Sequence, residues 1–280
     1  MYKPTIFYAL TYNCIRHCNF CFNSRYANYD IAFDLKAYTH VITELQEWNS
    51  SKPEKLSLNL TGGEPLLEPD ITKVLQLAKG AGLEIFLTTA GVPINNSIAR
   101  AIKDSDTKVT ISFDCHKRDI YEQTRGLNTY DKAISCFDTL ASHNCLHRAI
   151  IVINKASLPF IHETIDYLKS NYGVVDFILM ELSVTPELFD NTGARLSQDL
   201  LQDIKTFFPD LSITVGHYCP ITLNVSPDGH YFTLLPPDHF NMLGDARTTS
   251  LQTAIDGYRK ESAAYRLIRP TCSDLVVTQR

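Results

Sequence analysis

The stretch that decides the reading is Thr11-Tyr-Asn-Cys14-Ile-Arg-His-Cys18-Asn-Phe20-Cys21-Phe22, directly after the apolar run Ile6–Leu10. An apolar, strand-like run that opens into three thiols places soft ligands at the end of a sheet. Thiolates spaced four and three apart suit an iron–sulfur cluster or zinc. Three are one short of the usual four, so a cluster held here would keep one open iron, able to bind something else. A zinc site would answer the C-x2-C pair with a second pair or with histidine. No downstream pair does so, and His17 inside the loop has awkward geometry. Three inert, buried thiols is the remaining alternative.

Downstream, Leu58-Asn-Leu-Thr61-Gly62-Gly63-Glu64-Pro65 reads as a strand ending in a tight turn. The glycines let backbone come close to a ligand, and Glu64 is offered at the strand's C-terminal end. The two motifs, in this order, resemble the radical S-adenosylmethionine (radical SAM) superfamily, marked by C-x3-C-x-aromatic-C and a later Gly-Gly-Glu-Pro. Phe20 fills the aromatic place. The resemblance implies that Cys14, Cys18 and Cys21 hold three irons of a four-iron, four-sulfur cluster, with the amino and carboxylate groups of SAM on the fourth. It also implies that Phe20, Gly62 and Gly63 lie by the cofactor and that Glu64 accepts from the SAM ammonium, a charge-assisted contact.

The rest of the chain bounds this reading. The chain has 280 residues, 44% of them hydrophobic, enough for one sizeable core and an appendage. A net charge of −5 without a basic run or aromatic platform weighs against nucleic-acid partners. No stretch reaches the length of a membrane span, and residues 1–10 lack signal-peptide architecture. Eight cysteines without export machinery point to a reducing cytoplasm.

Strand and helix patterns alternate through the first two-thirds. Strands are expected at Ile6–Leu10, Leu56–Leu60, Leu83–Thr88, Lys108–Phe113, Arg148–Ile153 and Phe177–Leu182. Helices are expected at Asp34–Asn49, Asp70–Lys79, Asn95–Lys103, Tyr130–Ser142 and Leu158–Ser170, from apolar spacing and caps such as Asp34. Six strand–helix units in series predict an α/β fold with a parallel sheet and right-handed crossovers. For the family resembled, that is a partial (β/α)6 TIM-like barrel with its chemistry at the strands' C-terminal ends. The expected division is 1–190 for the barrel, 191–214 for a linking helix, and 215–280 for a small α+β extension.

Between the fourth and fifth strands, Ile111-Ser112-Phe-Asp114 leads to Arg125-Gly126 and Tyr130-Asp-Lys-Ala-Ile134. This is similar to radical SAM enzymes that carry a SPASM or twitch extension. The likeness implies that Ser112 and Asp114 lie near the SAM ribose and that Arg125 reaches the SAM carboxylate. A turn or cap for Asp114 and a structural ion pair for Arg125 are the open alternatives. Asn154 is a similarly placed polar candidate, and Met180 reads as core. Cys115, beside Asp114, is the candidate for a catalytic hydrogen donor, against a plain core thiol. Cys136 and Cys145 read as ordinary thiols.

The extension shows a hairpin around Pro227-Asp228-Gly229 and a helix over Ser250–Tyr265. Leu234 stands where the family pattern has a cluster cysteine, leaving Cys219 and Cys272 in this region. Two thiols cannot hold a second cluster in the usual way; His217, His230 or His239 would have to complete one. The expectation is an extension that keeps its fold without a cluster.

The resemblance implies reductive cleavage of SAM to a 5′-deoxyadenosyl radical and hydrogen abstraction from a substrate. Peptide or natural-product modification is the leading outcome, with a sugar or aminocyclitol as alternative. A non-catalytic iron–sulfur partner or regulator is the reading from another class. An external donor such as flavodoxin or ferredoxin would supply the electron. The short lead before the first strand leaves a peptide substrate to direct docking or to a separate peptide-recognition protein.

Overall fold

Alternation in the strands sets the architecture. Ile6, Tyr8 and Leu10 point one way from the first strand, joining Leu58, Leu60, Ile85, Leu87, Val109, Ile111, Ala149 and Ile151 in one buried core. Their neighbours Asn59, Thr61, Thr88, Ser112, Ile150 and Met180 are partly exposed on the opposite face. A sheet with one face under helices and the other left partly open is a trough. The computed structural model describes residues 4–21, 31–92, 94–181, 193–217, 222–235 and 239–268.

In chain order the elements begin with β1 (Thr5–Thr11), α1 (Leu35–Ser51), β2 (Ser57–Gly62), α2 (Ile71–Gly80) and β3 (Ile85–Thr89). Then come α3 (Asn96–Asp104), β4 (Lys108–Ser112), α4 (Arg118–Arg125), α5 (Tyr130–Ser142) and β5 (Leu146–Ile153). They are followed by α6 (Ile161–Tyr172), β6 (Asp176–Glu181), α7 (Gln198–Phe207) and β7 (Ser212–His217). The last are β8 (Leu223–Val225), β9 (His230–Leu235), β10 (His239–Asp245) and α8 (Leu251–Ile268). Local chemistry starts the helices where the sequence places them. Asp34 caps α1 by accepting from the Lys36 and Ala37 amides, and Asn95 caps α3 by accepting from Ile98. Helix α1 then buries Tyr38, Val41, Ile42, Leu45 and Trp48 along one face.

Among the described residues the strands form one ten-stranded sheet in the order β10-β9-β8-β1-β2-β3-β4-β5-β6-β7. Strands β1 to β6 pair in parallel, as the six expected units require. Two features differ from the expected layout. A seventh parallel strand, β7, joins β6 and runs through position 215, where the extension was expected to begin. Strand β8 pairs in parallel with β1, and the β8–β9 hairpin and β10 continue from there by antiparallel pairing. Both edges of the barrel are thus lengthened by the later part of the chain. The hairpin turns at Pro227-Asp228-Gly229 as expected and rests on α1: Asp34 N donates to Pro227 O at 2.9 Å. Among the described residues, no helix is long and apolar enough to cross a membrane.

Candidate active site

The cysteine loop leaves β1 at its C-terminal end. The β1–β2 register shifts between Ala9 and Thr11, a local irregularity that redirects the strand as the loop begins. Gly63 N donates to Thr11 O at 2.7 Å and Glu64 N to Asn13 O at 2.8 Å, so the turn after β2 grips the base of the loop through backbone alone. Gly62 sits at φ 131°, and a Cβ there would overlap the Thr11 carbonyl oxygen. A Cβ on Gly63 would overlap the carbonyls of Asn13 and Tyr12. Both glycines are therefore required by close backbone approach.

The far side of the loop is held by α4. Asn19 N donates to Thr124 O at 3.1 Å, and Cys21 N closes a turn onto Cys18 O at 3.1 Å. Between these anchors Arg16 turns inward, only 5% exposed. Its Nη1 donates to the Tyr121 hydroxyl at 2.6 Å and its Nη2 to Gly91 O at 2.5 Å. One side chain thus ties the loop to the end of β3 and to α4. An arginine inside a polar loop reads as solvent-facing in sequence, so this inward turn is legible only in the fold.

Cys14, Cys18 and Cys21 are half-buried, reduced thiols on this braced loop. Burial pushes the Cys14 thiol up to about 11, partly offset by the Arg16 amide, which donates to its Sγ at 3.4 Å. Such a thiol gives up its proton to a bound metal. Among the described residues no group of three or more His, Cys, Asp or Glu side chains is arranged around a single ion. Phe20 is buried against Val152, with Cys18, Ile150 and Met180 packed around the pair. Met180, expected in the core, is partly exposed on the concave face instead.

The polar candidates fall into two sets. Ser112 ends β4, partly exposed, on the concave face opposite the core residue Ile111. The others have partners within the protein. Glu64 is 0% exposed. Its Oε1 accepts from the Thr89 hydroxyl at 2.7 Å and from Leu66 N at 3.2 Å, and its Oε2 from Ala90 N at 2.9 Å. These contacts tie the carboxylate to the end of β3. Burial raises its pKa from the ordinary carboxylate value, opposed by Thr89, Ala90, Leu66 and the charge of Arg16. The contact from residue 90 is through backbone, so Ala90 supplies it as well as any side chain would.

Asp114, also 0% exposed, accepts from Arg125 Nε at 2.6 Å and Nη2 at 2.7 Å, and from Val152 N at 2.9 Å. The structural ion pair considered for Arg125 is the arrangement present. Asn154 accepts from the Ala156 and Ser157 amides and donates to Val152 O, which makes it the hinge of a turn after β5. Cys115 follows Asp114 beyond the end of β4 and is fully buried, which raises the pKa of its thiol. Cys136 and Cys145 are buried thiols, as expected. His230 lies 3.1 Å from Asp228 and 3.8 Å from Asp245 in the hairpin. Cys219 and Cys272 lie outside the described residues, as do the side chains of His217, Leu234 and His239.

Known proteins share this architecture and sequence. Mycofactocin maturase MftC of Mycobacterium ulcerans is 25% identical over 147 residues, 52% of this chain and 38% of the maturase. The chain thus spans less than half the length of that curated relative. A probable GTP 3′,8-cyclase of Methanocaldococcus jannaschii is 22% identical over 221 residues, 72% of each chain. Among solved structures, anSMEcpe with bound AdoMet and the Cp18Cys peptide superposes with a TM-score of 0.70 at 16% identity, covering 92% of this chain and 82% of that one. At that identity the likeness shows the fold. The family model described as the Radical SAM superfamily matches residues 8–168, more than half of the sequence. The chain belongs to the radical SAM superfamily, enzymes that use a four-iron, four-sulfur cluster and S-adenosylmethionine.

Proposed function

We propose that this protein modifies a peptide by radical chemistry begun at a cluster held by Cys14, Cys18 and Cys21. The observation that carries the reading is the bracing of the three-thiol loop, from both sides, at the C-terminal mouth of a parallel trough. The donor set fits the group: three half-buried, soft thiol ligands in a loop whose backbone is held from both sides. When bound, cluster and SAM together supply one-electron cleavage of a carbon–sulfur bond, yielding a 5′-deoxyadenosyl radical that takes hydrogen from the substrate.

The chain's own residues do the rest. Arg16, Gly63 and Asn19 hold the loop in one conformation, so the cysteines need no reorganisation on loading. The concave face beyond them carries Asn59, Thr61, Thr88 and Ser112 on one flank and Ile150, Val152 and Met180 on the other. That mixture suits a flat, partly polar group lying against Val152 and Phe20, and its apolar side keeps water from the reacting atoms. Cytoplasmic residence, an external electron donor such as flavodoxin or ferredoxin, and a separate peptide-recognition protein belong to the same proposal.

A maturase among the relatives and a peptide-bound structural neighbour support the peptide substrate. The match to a probable nucleotide cyclase over 72% of each chain favours a small molecule as the second reading. Anaerobic reconstitution tests the core of the proposal. About four iron and four sulfide per chain are expected, with 5′-deoxyadenosine formed from SAM under reduction. Replacing Cys14, Cys18 and Cys21 together by Ala should abolish both. Iron retained in that triple variant would overturn the assignment.

A further inference from the structure

We propose that Arg125 tunes the electron affinity of the cluster through the sulfur of Cys18, with Asp114 as its counter-charge, and is not a clamp for the SAM carboxylate. The inference rests on the assignment of Cys18 as a cluster ligand. Arg125 is 5% exposed, at the end of α4. The side-on edge of its guanidinium is committed to Asp114, through Nε at 2.6 Å and Nη2 at 2.7 Å. The remaining nitrogen, Nη1, points at Cys18 Sγ from 3.9 Å. The guanidinium also lies over the Phe20 ring, 5.0 Å from its centroid, which fixes its plane.

The result is an oriented ion pair. Its positive end faces Cys18, and its negative end is anchored in the sheet by the Val152 amide, 2.9 Å from Asp114 Oδ1. Cys14 receives a neutral amide from Arg16 at 3.4 Å, whereas the donor at Cys18 is charged. Arginine stays protonated in proteins, and the carboxylate of Asp114 beside it balances the charge. Adding an electron to a cluster makes its sulfurs more negative. A fixed positive end beside one of them therefore stabilises the reduced form and raises the potential, and hydrogen bonding and local charge are levers by which proteins set such potentials.

The sign pattern separates this from a merely structural role. Arg125→Gln removes the positive end and leaves a buried carboxylate, so the midpoint potential should fall. Asp114→Asn leaves the guanidinium uncompensated, so it should rise. The double variant should lie between them. Potentiometric titration of the reconstituted proteins, followed by the spectrum of the reduced cluster, reads this directly. The expected size is about tenfold in the reduced-to-oxidised ratio at a fixed poise for each single variant, or ~59 mV for one electron. A residue that only braces the loop would move both singles in the same direction or neither, and that result overturns the inference. If a single variant takes up no cluster, Arg125→Lys and the double variant give the reading. Lys should stay near the wild-type potential and the double should lie below it, and equal potentials would refute the idea. A wild-type protein with no four-iron cluster overturns the proposed function and this inference with it. A normal cluster with unmoved potentials overturns this inference alone.

Discussion

On the β2 side the cysteine loop is held by backbone amides, two glycines and a buried carboxylate that sees only neutral donors, Thr89, Ala90 and Leu66. On the α4 side it is held by charge: the Asp114–Arg125 pair, with Arg16 braced against Tyr121. The first wall is a matter of shape, which tolerates no added atom. The second is a matter of compensation, in which each buried charge is tolerable only while its partner is present. The two walls should therefore fail in different ways.

The charged wall should give the largest effect. Asp114→Ala strands a fully buried guanidinium and should destabilise the cluster-free protein by about 3–5 kcal/mol, measured by urea unfolding. Replacing both partners by apolar residues, Asp114→Leu with Arg125→Met, should recover part of that loss. A double variant no more stable than Asp114→Ala would mean that the pair holds the wall by shape after all.

The shaped wall comes next. Gly62→Ala forces a side chain at φ 131° against the Thr11 carbonyl and should cost about 3 kcal/mol, with a matching fall in iron uptake. No compensating second change on α4 should restore it. Rescue from that side would show that the walls are not independent.

Glu64→Gln sharpens the contrast at smaller scale. The amide has one acceptor oxygen, so it keeps either the Leu66 contact or the Ala90 contact and sets its NH2 against the other backbone N–H, at a cost of about 1–3 kcal/mol. SAM affinity should drop by about tenfold or more if the carboxylate also accepts from the SAM ammonium; unchanged affinity would leave it as a holder of β3 alone. The pH dependence has a definite sign. Burial raises the folded-state pKa of Glu64 above its ordinary value of 4.5. The stability linked to its protonation is thus complete below the unfolded value and is lost as pH rises through the folded one. The wild type should lose ground to Glu64→Gln as pH climbs from that ordinary value toward neutrality. An unchanging difference in stability would show a carboxylate whose titration folding does not alter.

The smallest effect is expected at Cys115, outside both walls. Cys115→Ala removes a buried thiol and should cost about 1 kcal/mol, with turnover unchanged. Loss of hydrogen return to product in that variant, followed by solvent deuterium, would make it a hydrogen donor.

What was legible in the sequence follows from where the signals live. The strand–helix alternation, the Asp34 and Asn95 caps and the turn at Gly62 are local chemistry, and the fold shows them. Helix α4 escaped notice because only Tyr121, Thr124 and Arg125 among its eight residues are buried, too few to print a helical period. Strand β7, Ser-Ile-Thr-Val-Gly-His, is half-exposed and reads as loop until β6 is seen beside it. The inward turn of Glu64 and the reach of Arg16 to Gly91 and Tyr121 are long-range. Motif spacing names such residues without saying which way they face.

The pairing of β8 with β1 bears on how the molecule is made. Ile6 and Leu223 become neighbours across more than two hundred residues of chain, a contact of high sequence separation that forms slowly and late. During synthesis, β1 can pair with β2 soon after both emerge, while its other edge stays bare until most of the chain has followed. That edge belongs to the strand that launches the cysteine loop, and a bare apolar edge invites pairing with other chains. Mutations in Leu223–Val225, remote in sequence from every thiol of the loop, are therefore expected to show themselves first as poor yield of assembled protein.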